Sequence, residues 1–408
     1  LVFTNESILT NVFWRQVLSE TDWYEITLGR NFSRMHNNLN GNDDFRSYEK
    51  IEENPYYNDP SGQNEYHADR WHDHYSEAYT AKASYSFYGG AGNQFKAGMD
   101  LSFTEMQLID LQSNLGDPPA GKLAIGEDIF RAHPIVAAGF FQDTIEYHGL
   151  ILNAGIRADL WAPGHEVEEV MQNPDDYLFI THEMVDEFND KTFRAMGRNW
   201  KARLSPRLGI SFPVTHSDKF FFNYGHFSQW PRFTYVYPQL QTQRATKVQL
   251  LGNPNLDPKV TVEYEAGWQH EFDNLWSLGA TFYNRDIYGY AKSVRMKSVD
   301  IGADQTPDPD DTGSVPIEPV RYFNGDSARS LGVELSVIKR TTRWLSGSAS
   351  FEMQRSTGTN SDADQAYLQA AFGQAYDSTP NIAGLTRSPL VWDKPWTVSL
   401  NADFTVFD

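Results

Sequence analysis

The feature that most constrains this chain is a strict exchange of polar and apolar residues that returns in segment after segment. It is plainest in Thr397-Val398-Ser399-Leu400-Asn401-Ala402-Asp403-Phe404-Thr405-Val406. In the segment 150–161, Leu150, Leu152, Ala154, Ile156, Ala158 and Leu160 share one parity, and Ile151, Asn153, Gly155, Arg157 and Asp159 share the other. A period of two sends these sets to opposite faces of an extended strand. One face can meet hydrocarbon while the other holds charge and amide, which is the pattern of a membrane β-barrel with a polar lumen.

Thirteen segments carry the pattern: 7–19, 22–36, 75–88, 93–108, 132–144, 149–161, 201–214, 218–229, 258–271, 276–290, 321–338, 343–355 and 393–407. Short joins such as 89–92, 147–149, 215–218 and 273–274 supply the Gly, Asn and Asp that reverse adjacent antiparallel strands. They alternate with long polar stretches near 37–74, 109–131, 162–200, 230–257, 291–320 and 356–392. Loops beyond about 12–15 residues are uncommon in compact soluble domains. Short turns at one end and long loops at the other are what an outer-membrane barrel shows. A soluble β-sandwich also alternates, with its polar parity facing water. It accounts for the alternation but not for strand length and loop asymmetry together. Short helical turns are expected within 164–197 and at 361–376, as decoration of loops.

Composition agrees with a barrel. A mean hydropathy of −0.55 coexists with 21 Tyr, 26 Phe and 11 Trp, and rim girdles and strand pairing absorb aromatics that a polar chain would otherwise have to bury. No run of 18–20 apolar residues exists for a helical span, but a barrel strand needs only about 9–11 residues. The 408 residues include no cysteine, so no disulfide, thiolate nucleophile or thiolate metal site is available. A net charge of −20 argues against nucleic acid as a partner. No oriented nucleophile, base and orienter can be picked out, and no phosphate-cradling glycine loop with its lysine occurs, so enzyme chemistry is not expected. The opening LVFTNESILT lacks a basic n-region and an apolar h-region. It reads as a chain whose leader has been removed or which begins inside a longer protein.

Several stretches carry a family resemblance. NAGIRADLWAPG at 153–164, SPRLGISFPVTHSDKFFFNYGHFSQWP at 205–231 and NPNLDPKVTVEYEAGWQHEF at 253–272 resemble the C-terminal barrel of a TonB-dependent outer-membrane receptor. RSLGVELSVIKR at 329–340 and SPLVWDKPWTVSLNADF at 388–404 continue it. The resemblance implies an all-β, antiparallel transmembrane barrel with long extracellular loops in the outer membrane of a Gram-negative-type cell. It further implies energy-coupled uptake of a scarce ligand: a metal chelate, vitamin, oligosaccharide or peptide. Barrels of this kind have about 22 strands and a plugged lumen. Residues 1–408 are therefore expected to be part of a receptor barrel, with no plug domain visible. Expected partners are outer-membrane lipids, the TonB energy-coupling system acting through a missing N-terminal region, and a surface lipoprotein or other protein. The competing reading is a structural or adhesion barrel that binds another protein.

Three groups of residues are candidates for binding. Trp230, Arg232, Phe233, Tyr235 and Tyr237 in QWPRFTYVYPQL combine aromatic faces with one cation suited to carboxylate or phosphate, or they form a structured rim. Arg157, Glu263, Glu265, Arg285 and Glu334 fall on the polar parity and are expected to line the lumen. His67, Asp69, His72 and His74 offer metal-ligating atoms at a spacing that matches no closed site, so a solvated loop is the plainer account. Asp300, Asp304, Asp308, Asp310 and Asp311 lack the glycine turn and terminal carboxylate of an EF-hand. No cofactor is expected, and no specific motif supports a metal or metallated ligand.

Overall fold

The computed structural model describes residues 2–38, 70–90, 92–112, 126–238, 240, 250–297, 299–301, 315–317, 319–340, 344–359, 363–364 and 387–405. Its frame is a run of long hairpins. β1 (Val2–Val17) turns into β2 (Asp22–Asn38), and β3 (Arg70–Gly89) into β4 (Asn93–Gln112). The short β5 (Gly126–Ala132) leads into β6 (Ile135–Tyr147), which reverses into β7 (Leu150–Ala162). The three-residue β8 (Phe193–Ala195) folds onto β9 (Arg198–Pro213), followed by β10 (Asp218–Gln229) and the two-residue β11 (Leu250–Leu251). Next come β12 (Lys259–Phe272), β13 (Trp276–Arg295) and a separate small pair, β14 (Val299–Ile301) with β15 (Val315–Ile317). β16 (Val320–Lys339), β17 (Leu345–Gly358), the two-residue β18 (Ser388–Pro389) and β19 (Trp396–Phe404) complete the order.

Every expected segment is a strand, and the antiparallel ladder runs β1-β2-β3-β4-β6-β7-β9-β10-β12-β13-β16-β17-β19 in chain order. Among the described residues no ladder joins β19 to β1. All nine residues of β19 are exposed. Among the described residues no helix is long and apolar enough to cross a membrane.

The register explains the alternation. Ala266, Phe282, Val333, Met353 and Trp396 stand opposite one another in successive strands, and the adjacent row is Gly267, Thr281, Glu334, Glu352 and Thr397. Directly paired residues point to the same face, so the ladder gathers one apolar and one polar face. The apolar face is uncovered: Met99, Ile156, Phe282 and Leu335 are between 48% and 63% exposed. It runs from Phe95 to Phe103 in β4 and from Leu150 to Leu160 in β7. Nine to eleven residues span about 30 Å along a strand, enough once tilted to match the ~25 Å apolar band of a barrel. Stacked rings mark its short-turn end: Phe87 with Phe95 at 5.0 Å, Phe212 with Phe220 at 6.2 Å. Charge marks the other end. There Arg30 Nε meets Glu77 Oε1 at 2.6 Å, Arg131 pairs with Glu105, and Arg329 Nε meets Asp286 Oδ1 at 2.5 Å.

At that charged end the chain builds a second kind of structure. α1 (His165–Gln172) buries Val167, Val170 and Met171, and α2 (His182–Lys191) buries Met184 and Phe188; both sets follow the helical spacing that makes one apolar stripe. Thr181 caps α2 by accepting from Met184 N at 3.3 Å. With α3 (Phe233–Val236) these helices close a cluster that includes Trp161, Val236, Tyr237 and Leu240. Residues 164–197 thus hold more order than loop decoration implies. The stretch 361–376 lies outside the described residues, apart from the turn at 363–364.

Candidate functional site

The polar face carries a groove of about 540 Å³ between β6, β7, β9, β10 and β12. Its lining includes Asn153, Arg157, Arg207, Asn223, Glu263 and Glu265. Arg157 bridges Asp100 at 3.0 Å and Asp159 at 2.7 Å, and Ser228 Oγ donates to Asp159 at 2.9 Å. Arg285 Nε donates to Glu263 at 2.7 Å, with Glu265 3.8 Å from its Nη2, and Asn223 Nδ2 donates to Glu265 at 3.2 Å. Arg207 lies 4.5 Å above the Phe227 ring. Gly209 permits this crowding, because a Cβ there would stand 2.9 Å from Asn223 Oδ1. The structure thus joins Glu263, Glu265 and Arg285 in one network and holds Arg157 in another. Glu334 stands apart, exposed, in the row of Thr281 and Glu352. Such pairs contribute little to stability where water reaches them; a face of alternating cations, carboxylates and amides is suited to holding polar groups by many weak contacts.

The aromatic segment 229–240 lies at the helical end. Tyr237 is 2% exposed, donates its hydroxyl to Pro163 O at 2.6 Å, and packs against Phe130 at 5.7 Å and Phe233 at 5.9 Å. Burial, then the charge of Glu166, push its phenol well above the ordinary value, so it acts as a neutral donor. Trp230 packs on Trp161 at 5.4 Å, and Tyr235 on Tyr322 at 4.7 Å. Arg232 is exposed. The rings are drawn largely into the packing, and the cation is left facing solvent.

Residues 250–258 fasten this helical layer to the strands. Gly252 N donates to Pro238 O at 2.7 Å, and the backbone comes so close to the Val236 carbonyl that no Cβ fits. Asn255, 1% exposed, donates to Met184 O at 2.9 Å and to Glu187 at 3.0 Å, tying in α2. Asn253 Nδ2 donates to Tyr322 O in β16 at 2.8 Å, and Lys201 Nζ in β9 donates to Leu256 O at 2.8 Å. Lys191 closes the group with Asp257 at 2.9 Å. Burial alone would lower the Lys191 pKa, but its hydrogen bonds to Glu187 and Asp257 outweigh that and raise it. Asn253 and Asn255, on either side of Pro254, do the fastening.

Of the histidine-rich candidates, His67 and Asp69 lie outside the described residues. His72 and His74 stand two apart in β3, opposite Asn37 and Met35. Among the acidic set, Asp300 is in β14 and Asp304, Asp308, Asp310 and Asp311 lie outside the described residues. A different group comes together instead: ligand atoms of His133, His165 and Glu166 lie within 4.8 Å of one another. Sequence reasoning missed it because the whole β6–β7 hairpin separates His133 from His165, and no motif links them.

The comparisons with known proteins agree with this architecture. Residues 4–407 match the family described as TonB dependent receptor-like, beta-barrel. Among solved structures, the chain is similar to the pyoverdine outer membrane receptor FpvA from Pseudomonas aeruginosa PAO1, with 10% identity and a TM-score of 0.56 over 98% of this chain and 48% of that one. It is similar to the outer membrane transporter YddB from Escherichia coli, with 12% identity and a TM-score of 0.55 over 98% and 48%. It is also similar to the FrpB iron transporter from Neisseria meningitidis, with 11% identity and a TM-score of 0.52 over 97% and 49%. The chain spans about half the length of the structures it matches. No curated protein matches it by sequence. Fold, apolar band and family assign it to the Gram-negative outer membrane. The chain belongs to the TonB-dependent receptor-like β-barrel family.

Proposed function

We propose that this barrel serves energy-coupled uptake of a scarce ligand across the outer membrane, as part of a longer receptor. The observation that carries the reading is the division of the wall into an uncovered apolar face and a polar face furnished with Arg157, Arg207, Glu263, Glu265 and Arg285. A wall of that kind lines a hydrated route. The polar face is the lumen side, and Glu334 lines it alongside Glu352. The helical layer stands at the outer mouth, where Arg232 and the accessible edges of Trp230, Phe233 and Tyr235 meet the ligand first. A plug carried elsewhere in the full protein would gate the route when the TonB machinery engages it. The matched structures include iron and pyoverdine receptors, which supports a metal chelate as the first class to try.

The test is accumulation of labelled ferric and cupric chelates and of corrinoids. Three strains are compared: cells with the intact gene, cells lacking it, and cells with the gene but no working TonB system. Uptake of one probe lost in both deficient strains is the expected result. Uptake that needs the gene but persists without energy coupling would instead mark a passive channel.

A further inference from the structure

We infer that His133, His165 and Glu166 form a binding site for a borderline divalent cation of the zinc type, clipping α1 to the link between β5 and β6. Two rigid pieces of backbone supply the ligands. His133 sits between Ala132, fully buried, and Pro134, also fully buried, whose carbonyl accepts Thr104 N at 3.1 Å. His165 and Glu166 are the first two residues of α1. The helix starts this close to His133 only because residue 164 is glycine. Gly164 has φ +112, and a Cβ on it would lie 3.2 Å from both the N and the O of His133.

The side chains converge. His133 Nδ1 contacts Glu166 Oε1, His165 Nε2 is 3.2 Å from the same oxygen, and the two imidazoles stack at 5.1 Å. The second carboxylate oxygen, Glu166 Oε2, is buried and has no hydrogen-bond partner; a bound cation would satisfy it. Two imidazoles and one carboxylate are the ligand set of open zinc sites, in which water takes the fourth position. His165, 52% exposed, leaves room for that water. Two nitrogen ligands favour zinc, copper or nickel over calcium and magnesium, which take oxygen. Ligating histidines usually direct their second nitrogen toward a carboxylate; Glu105 Oε1 stands 4.0 Å from His133 Nε2 and is itself held by Tyr75 at 2.6 Å. The site lies outside the apolar band and requires no assumption about the transported ligand.

The test is a titration of the full-length protein, purified in detergent and stripped with a chelator, with Zn²⁺ alone as probe. The wild type is expected to bind zinc at a site that Ca²⁺ and Mg²⁺ do not occupy. His165→Gln is expected to weaken it roughly tenfold or more, on the scale of lost coordinating support. The His133→Gln/His165→Gln pair is expected to lose it. Heat-modifiable gel mobility checks that the variants fold; His165→Gln alters a half-exposed side chain and is the safer of the two. In the wild type, zinc should also slow amide exchange in 165–172. No zinc uptake by the wild type, equal competition by Ca²⁺, unchanged stoichiometry and affinity in the double variant, or no protection of α1 would each overturn the assignment.

Discussion

The strand wall and the helical layer above it are stabilised in opposite ways. The wall has almost no interior: its apolar residues, such as Leu335 and Phe282 at 48% exposed, face outward in register. The helical layer buries Trp161, Val167, Val170, Val236 and Phe188 at 1% exposed or less. For the wall, lipid is the apolar phase and the ladder satisfies the backbone. For the helical layer, protein is the apolar phase and water the surroundings, as in a soluble domain. One chain therefore answers to two solvents, and the charged rung of Arg30–Glu77 and Asp286–Arg329 marks where one gives way to the other.

Substitutions can break that contrast, and the largest effect belongs to the helical layer. Phe188→Ala removes a ring from the cluster and should cost that layer about 3–5 kcal/mol. It should be read as faster amide exchange in α1 and α2 while the barrel still inserts. Loss of membrane insertion would show that the two regions are one cooperative unit. On the wall, Phe282→Arg puts charge in the apolar band and should cost about 2–4 kcal/mol in bilayer refolding titrations. The neighbouring Thr281→Arg, on the polar face, should stay within about 0.5 kcal/mol. Equal effects at 281 and 282 would abolish the distinction between faces.

Asn255→Ala is intermediate. It removes the side-chain donor to Met184 O and to Glu187 Oε2, while Lys191 stays on Glu187 Oε1, so a loss of about 1–3 kcal/mol is expected, confined to α2 and read by exchange. Smallest is Arg285→Gln, which breaks the pair with Glu263 on a face that water reaches. It should change stability by less than about 1 kcal/mol, with any effect appearing in ligand uptake.

The wall was legible in the sequence because period-two alternation is local and repeats. The segment 258–271 became β12 within one residue at each end, and 218–229 became β10 unchanged. The long-loop ends were read short: β3 begins at Arg70 rather than 75, and β13 reaches Arg295 rather than 290. Beyond the apolar band the outward parity turns polar, as at Glu77 and Asp286, so the alternation stops before the ladder does. The helical cluster was not legible. It draws Met106, Trp161, Phe188 and Tyr237 from four distant stretches, and no local period links them. The aromatic segment was visible, but not that Tyr237 would spend its hydroxyl on Pro163 O. The His133, His165 and Glu166 group depends on that same packing.

The absence of cysteine from all 408 residues makes the central claim directly measurable. Single cysteines placed through 330–337 in β16 of the full-length protein, with any cysteine outside these 408 residues replaced, would be spin-labelled in bilayers and compared for collision with oxygen, which partitions into lipid, and with a water-soluble nickel complex. The account predicts that positions 331, 333, 335 and 337 favour oxygen and 330, 334 and 336 favour nickel. Nickel accessibility at both parities would contradict it, because the face with Leu335 would then meet water and the wall would not be a membrane barrel.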